Sequence, residues 1–414
     1  MNRLEIMDFY SEINRLPVRE AYDVAVIGAG VGGVAAALAA ARSGMKTLLV
    51  EKGVLPGGLA TSGLIVHYLP LCDGCGRKII GGIAEELLQL SIRYGGGTLP
   101  EAWRSGTAAP GTTERYRTCF NPGAFVLALD EVLAAAGVDV LYDTAFGGVE
   151  AQDGWVSGVI VDNLTGRCLI PVRAAVDATG SAELFFKAGA PVVVGQSELS
   201  YWALAVDEES VRAGNDARDL ARAIKVSRNG FVVDMPENRR LGEESAAPQP
   251  VYEIKELADM TRFVLDGRRL LQKYRARMQT GQMALACLPS VAQHRTTRRI
   301  DGVGTMTIEA QRARAEHSVG CVSDWRKAGP VYEVPLEALY TRKLKNVLAA
   351  GRCMAAAGEA WEIMRCIPQA AATGEAAGQA AALCVKRHCA VGSAIYGELA
   401  QNLAAAKIML HTGK

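Results

Sequence analysis

The sequence predicts an α/β fold, a parallel sheet with packed helices interrupted by an inserted α+β domain. Three observations carry that expectation. Residues 23–51 read as strand, glycine-rich turn, alanine-rich helix and strand. A buried-strand pattern returns at 346–351 and is followed by a second alanine-rich helix at 368–387. From about 190 to 340 the texture changes: charge rises, a helical pattern runs from 254 to 279, and Pro and Arg follow. The expected organisation is a polar leader at 1–20, a first part of the main domain at 21–190, the inserted domain at 191–340, and the remainder at 341–414.

The length, 414 residues, is too great for one ordinary core and implies two joined domains. Half of the residues are hydrophobic, enough for a large buried interior. With 45 basic and 44 acidic residues the formal charge is +1, and no charge run breaks the mixture. The balance therefore gives no argument for nucleic acid or an anionic membrane as partner. The ten cysteines follow no secreted disulfide spacing, and residues 1–20 lack the apolar core of a signal peptide. The most apolar stretch, 24–50, is broken by glycines, Arg42 and Lys46, so no membrane span is expected and the localisation expected is cytoplasmic.

Each element has its own reason. Residues 23–27 are a short apolar run with β-branched side chains, a buried strand. The alanine-rich run 31–43 is a helix closed by Gly44. Residues 47–51 make the next strand. The glycine-rich region 53–120 holds one helix, around 83–92. A helix at 122–136 leads into strands with turns at Asp153-Gly154 and Thr165-Gly166, ending at Asp177-Ala-Thr-Gly180.

The chemistry starts at Gly28-x-Gly30-x-x-Gly33, directly after a strand and opening a helix, with Glu51 lying 23 residues after Gly28. That is the Rossmann-type dinucleotide fingerprint. Gly28 permits the tight turn, Gly30 lets backbone approach a pyrophosphate, and Gly33 lets the helix pack closely. The helix N-terminus faces the phosphates. Glu51 would accept hydrogen bonds from a ribose diol, which argues against a 2′-phosphate.

Beyond Glu51 runs Lys52-Gly-Val-Leu-Pro-Gly57-Gly-Leu-Ala-Thr-Ser-Gly63, a loop able to lay backbone and a Thr hydroxyl along an extended cofactor. Together with Ala178-Thr-Gly180 and Ala349-Ala-Gly-Arg-Cys353, this order resembles the glutathione-reductase-like class of FAD proteins. More specifically it resembles the FAD-dependent oxidoreductase family that includes the flavoprotein subunit of heterodisulfide reductase, with a more distant likeness to the fumarate reductase and succinate dehydrogenase flavoproteins. Gly81-Gly-Ile-Ala-Glu-Glu86, Arg298-Arg-Ile300 and the segment 371–380 complete the matching pieces, which run from about residue 22 to 386. The resemblance implies a Rossmann-type FAD-binding domain with an inserted substrate or cap domain. It implies non-covalent FAD held by Gly28, Gly30, Val31, Gly32, Gly33, Glu51, Lys52, Gly58, Leu59, Ala60, Thr61, Phe146, Ala178, Thr179, Gly180, Gly351 and Arg352. Pro368, Gln369, Ala370 and Ala371 join them. Ser181-Ala-Glu183 stands where the family commonly has Asp-Gly-Asp.

Pro at a first helical position suits the helix that begins at Pro368. Its positive N-terminus, pointed at the flavin's pyrimidine end, would stabilise the anionic reduced form. The segment His294-Arg-Thr-Thr-Arg-Arg299 supplies the candidates for substrate recognition: the forks of Arg295, Arg298 and Arg299 suit a carboxylate, and His294 suits proton transfer. His67 and Arg365 are further candidates, without the covalent His–FAD bond of the fumarate reductase relatives. Cys72-Asp-Gly-Cys75 lies in a glycine-rich loop, where bland loop cysteines are the simpler reading than a redox dithiol. No zinc set or iron–sulfur run is present, and no metal is expected.

The function expected is an FAD-dependent dehydrogenase or reductase moving a hydride between a small, carboxylate-bearing substrate and flavin N5. With one dinucleotide fingerprint, the electron acceptor or donor stays open: a second substrate, oxygen, a quinone or a small carrier. The alternatives are a non-redox or isomerising flavoenzyme and an FAD-carrying subunit of an electron-transfer complex. Substrate identity and oligomeric state are not written in the sequence.

Overall fold

The computed structural model describes residues 15–199, 201–218, 223, 231–232 and 250–412. Most of the expected leader, residues 1–14, lies outside them, as does the greater part of 219–249. The chain divides into two compact units: the larger holds residues 18–61, 66–193 and 298 onward, and the smaller is built on 62–65 and 194–297. Residues 298–340, expected in the inserted domain, therefore belong to the larger unit. The tie is physical: the hairpin of Ser318–Ser323 with Val331–Pro335 lies beside the long helix Ile367–Arg387, where Gln369 Nε2 donates to Ser323 O at 3.2 Å.

The larger unit is an α/β fold around a seven-stranded sheet. The apolar strand Tyr22–Ile27 lies between Thr47–Val50 and the second half of Gly166–Asp177, parallel to both. Asp139–Leu141 extends the sheet beyond Thr47–Val50, and Val347–Ala349 pairs with the far side of Gly166–Asp177, again in parallel. The first half of Gly166–Asp177 instead forms an antiparallel meander with Trp155–Asn163 and Ala145–Gln152. One long strand thus serves two sheet regimes. Its buried C-terminal end carries the apolar run Ala174-Ala-Val176 that a parallel strand needs, before Asp177.

The helix Val31–Arg42 is buried along residues 31–40, because the sheet covers one face and the helix Ile367–Arg387 the other. Small residues allow that approach. A Cβ on Gly374 or Gly378 would collide with the carbonyl oxygens of Gly32 and Ala36 respectively. The expected βαβ unit and the helices near 83, 122 and 368 are all present, as Ile83–Ser91, Pro122–Ala135 and Ile367–Arg387.

The smaller unit is α+β. Ala203–Asp207 pairs antiparallel with Phe231–Val232 and Met283–Cys287, and Ser197–Glu198 pairs with Val251–Tyr252. The helix expected at 254–279 is shorter and broken: Asp259–Leu271, a 3₁₀ turn at Gln272–Tyr274, then Arg275–Gln279. The Asp259 carboxylate accepts from the backbone N–H groups of Lys255 and Glu256, which fixes a turn before the helix rather than a further helical turn. Among the described residues no helix is long and apolar enough to cross a membrane.

Candidate functional site

The carboxyl ends of the parallel strands set the site. Gly28 follows the first strand at φ +96°, in the left-handed region, and a Cβ there would lie 2.7 Å from the Ala178 carbonyl oxygen. A Cβ on Gly33 would overlap the carbonyl oxygen of Gly28 and meet Ala178 Cβ at 3.0 Å. Protein atoms therefore explain both glycines. They do not explain Gly30, where a Cβ would meet nothing nearer than Ala178 O at 4.0 Å. Gly30 is also the N-cap of the helix Val31–Arg42, has no side-chain cap, and precedes a first turn without acidic residues. That end is left for an anion.

Glu51, 9% exposed, ends the second strand. Its Oε2 accepts from Ala29 N–H at 2.8 Å and its Oε1 from Gly53 N–H at 2.8 Å. Each oxygen keeps a lone pair, and the bonds clamp the carboxylate beside the glycine turn. The loop after it is pinned to the same turn. Gly57 N–H donates to Ala29 O at 2.7 Å, and a Cβ on Gly58 would lie 2.9 Å from Gly30 Cα. The Thr61 hydroxyl donates to Pro56 O, so its proton holds the loop together and only its acceptor capacity is left for a ligand. Leu59 and Ala60 lie in the intervening 3₁₀ turn, and Lys52 is exposed. Phe146 is buried on the neighbouring meander, where its carbonyl accepts from Lys187 Nζ at 2.6 Å.

Asp177 was read only as part of a motif, yet it organises the next loop. Fully buried, it accepts from Thr179 N–H and Oγ1–H at 3.1 and 2.7 Å and from Leu184 N–H at 2.9 Å. Burial pushes its carboxyl up to about 6, against these bonds. The chain then passes Gly180 at φ +70° and Ala182 at φ +50° into the short helix Glu183–Lys187. Ala182 takes the left-handed conformation at the place where the resembling family has Gly.

The third wall comes from the C-terminal part. Gly351 follows the strand Val347–Ala349, and its N–H donates to Thr373 Oγ1 at 3.0 Å. A Cβ on Gly32 would meet Ala370 O at 3.1 Å and Gly351 N at 3.5 Å. The N-terminal ends of two helices, Val31–Arg42 and Ile367–Arg387, thus converge on the Gly351 turn. Pro368, Gln369, Ala370 and Ala371 form the first turn of the second. Gln369 is fully buried, and its Oε1 has no partner; neither has the buried Ser323 Oγ beside it. Such atoms cost free energy unless a polar ligand meets them.

Cations gather next to this turn. Arg352 Nε donates to Gly180 O at 2.7 Å, and burial, with Arg365 adding repulsion, pulls its guanidinium down to about 10, still cationic at neutral pH. Trp361 Nε1 donates to Arg352 O at 2.7 Å, and the Arg299 guanidinium lies 5.7 Å from the Trp361 ring centre. Arg365 holds Glu362 at 2.6 Å. The fold therefore links Arg299, Arg352 and Arg365 through Trp361, a residue with no sequence signal of its own. Arg298 stacks on Phe186 at 4.1 Å. His67 opens a short strand and its Nδ1 lies 3.2 Å from Cys119 Sγ. His294 and Arg295 belong to the smaller unit. His294 is 2% exposed, packed 3.9 Å from the Phe263 ring and 2.9 Å from Met260 Sδ, and Arg295 N–H donates to Ser197 Oγ.

The description FAD dependent oxidoreductase matches residues 23–208 and 251–403, most of the chain. This chain belongs to the FAD-dependent oxidoreductase family. Over 74 residues it is 35% identical to the thioredoxin reductase of Ureaplasma parvum serovar 3, a stretch covering 18% of this chain and about a quarter (24%) of that protein. Among solved structures it is similar to a geranylgeranyl bacteriochlorophyll reductase-like protein from Thermoplasma acidophilum (14% identity, 94% of this chain and 83% of that one, TM-score 0.44). It is also similar to the p-nitrophenol 4-monooxygenase of Pseudomonas putida DLL-E4 (13% identity, 95% and 90%, TM-score 0.46). A flavoprotein/dehydrogenase from Cytophaga hutchinsonii gives 14% identity, 93% and 84%, and a TM-score of 0.47.

FAD is the cofactor of this family, and the residues present fit it. The unexplained openness over Gly30, two convergent helix ends and partnerless buried acceptors suit a long ligand with phosphates in its middle and polar edges at both ends.

Proposed function

We propose that this FAD-dependent oxidoreductase transfers two electrons between its cofactor and a small anionic substrate. The cationic cluster of Arg299, Arg352 and Arg365 around Trp361, next to the Gly351 turn, is the observation that carries this reading. Bound non-covalently, FAD would supply the two-electron chemistry. Glu51 would take the ribose diol, Gly30 and the first turn after it the pyrophosphate, and Gln369 with its neighbours a polar ring edge. The finer likeness, to the heterodisulfide reductase flavoprotein subunit, rests on Gly57–Gly63, Gly81–Glu86, Arg298–Ile300, Ala349–Cys353 and residues 371–380.

For the substrate, the Arg299 guanidinium, with Arg365 and the Glu362 it holds nearby, would bind a carboxylate, and Arg298, over Phe186, is proposed as a further substrate group. Arg352 and Arg365, the latter paired with Glu362, repel as like charges, and an anionic substrate would offset that repulsion. Trp361 would give the substrate an apolar wall. Within the smaller unit, Arg295 and His294 are proposed as anion-binding and proton-transfer groups, and in the larger unit His67 is proposed as a group near the cofactor.

The test starts with the visible spectrum of protein purified without added cofactor. Acid precipitation then separates released from attached flavin. FAD in the supernatant supports the non-covalent reading, and FAD in the pellet overturns it. Anaerobic bleaching of the flavin by small carboxylates, compared with neutral analogues of the same size, tests the substrate class. Bleaching by the neutral set alone would remove the proposed role of the arginines.

A further inference from the structure

One constellation pairs His67 with a residue that the proposed function leaves unused. The two-stranded ladder of His67–Tyr68 with Thr118–Cys119 places His67 directly opposite Cys119. The imidazole Nδ1 stands 3.2 Å from the thiol sulfur, within hydrogen-bond reach for sulfur. Cys119 is exposed and His67 half-buried. A nucleophile and its base thus sit on two strands in register, which holds their separation more firmly than a loop would.

Arg117 is exposed and lies two residues before Cys119, just outside the strand Thr118–Cys119. On the other strand, Leu69 in the corresponding place is apolar. The segment packed against the backbone of Cys119 is Gly96–Gly97, where a Cβ on Gly97 would overlap Cys119 O; it brings no charge. Cys72, by contrast, is fully buried and its sulfur receives Tyr116 N–H at 3.1 Å, while Cys75 is exposed in a loop arranged around Asp73. The Cys-x-x-Cys motif draws the eye in the sequence, but the geometry for thiol chemistry is at Cys119.

We propose that Cys119 is a nucleophilic thiol activated by His67, and that it exchanges with small disulfides at the protein surface. His67 Nδ1 takes the thiol proton, and the thiolate attacks one sulfur of the incoming disulfide. That S–S bond breaks as the new one forms. The second sulfur leaves as a thiolate and takes up a proton, so the Cys119 sulfur is oxidised and the departing sulfur reduced. Cys119 is left as a mixed disulfide, reversible by excess thiol.

The experiment exposes the FAD-loaded protein to 2-hydroxyethyl disulfide at pH 7 and maps adducts on every cysteine by mass spectrometry over time. Cys75 and Cys287, the other cysteines classed as exposed, are internal references. Cys119 is expected to react about tenfold faster than either, with a pH dependence of its own. His67→Gln is expected to slow Cys119 to the pace of the references without changing theirs. A wild-type Cys119 no faster than Cys75 and Cys287 overturns the proposal, and so does an unchanged Cys119 rate in folded His67→Gln protein. Should that variant not fold, the wild-type profile decides: a Cys119 rate climbing with pH in parallel with the references is fatal to the idea.

Discussion

The Cβ that Gly33 lacks would overlap the carbonyl oxygen of Gly28, whereas the one that Gly30 lacks would meet nothing nearer than 4.0 Å. Two glycines of one motif therefore answer to different demands. Gly33 serves the protein, and Gly30 is proposed to serve the ligand.

The two substitutions separate those demands. Gly33→Ala is expected to destabilise the larger unit by about 2–4 kcal/mol, as overpacking against backbone does. Gly30→Ala is expected to leave the apoprotein's melting temperature within about 2 °C of wild type while weakening FAD binding at least tenfold. Calorimetry of the stripped protein and a flavin titration measure both. Equal losses of stability would refute the division of roles.

Glu375 gives a pH dependence. Its Oε2 accepts Ile83 N–H at 2.7 Å, and burial pushes its carboxyl up from 4.5 to about 7, even though that bond and Arg42 pull the other way. Below about 4.5 it is neutral in both folded and unfolded chains. Between about 4.5 and 7 the unfolded chain ionises while the native one keeps its proton, so stability falls as pH rises and levels off above 7. Glu375→Gln keeps an acceptor for Ile83 and removes the titration. It is expected to match wild type at pH 4.5 and to exceed it by about 1–3 kcal/mol at pH 8. Melting curves at the two pH values decide.

Gly378→Val bears on the close approach of the two helices. Its side chain would meet the Ala36 carbonyl and Ala39 Cβ. The expected result is a loss of about 3 kcal/mol or more, or failure to fold, as with other overpacked contacts against backbone. Gly397→Ala, at a helical glycine with open space around it, is the control and is expected to be neutral or slightly stabilising. Thermal unfolding of the pair shows the contrast.

Arg365→Lys keeps charge but loses the fork. Under the proposed function it is expected to raise the substrate concentration for half-maximal flavin bleaching by about tenfold to a hundredfold, with FAD content unchanged. Loss of FAD instead would move Arg365 from substrate binding to cofactor binding.

The sequence reveals the glycine turn, Glu51 and the elements around them because local periodicity and turn chemistry are written over short spans. The long helix is legible as an element, starting within a residue of its expected first position, but its partner is not. Gly374 and Gly378 meet Gly32 and Ala36 across more than three hundred residues, and nothing local announces that contact. Trp361 is hidden for the same reason, since its place depends on the Arg299 guanidinium over its ring and the Arg352 carbonyl that its indole N–H meets. The helix expected at 254–279 failed at its start because Asp259 turns the preceding backbone, an Asx-type bond that hydrophobic spacing cannot report.

The strand Val347–Ala349 and the turn at Gly351 complete a cradle that opens at Gly28. During synthesis at about 5–20 residues per second, the first fingerprint emerges well before its counterpart at 351–371 exists. Until then the helix Val31–Arg42 has one face uncovered and no second helix end to share an anion's charge. On the proposed site, capture of the flavin thus waits for residues 351–371, and an arrested nascent chain ending before residue 350 is a different object: a half-built grip with an apolar helix in search of a cover.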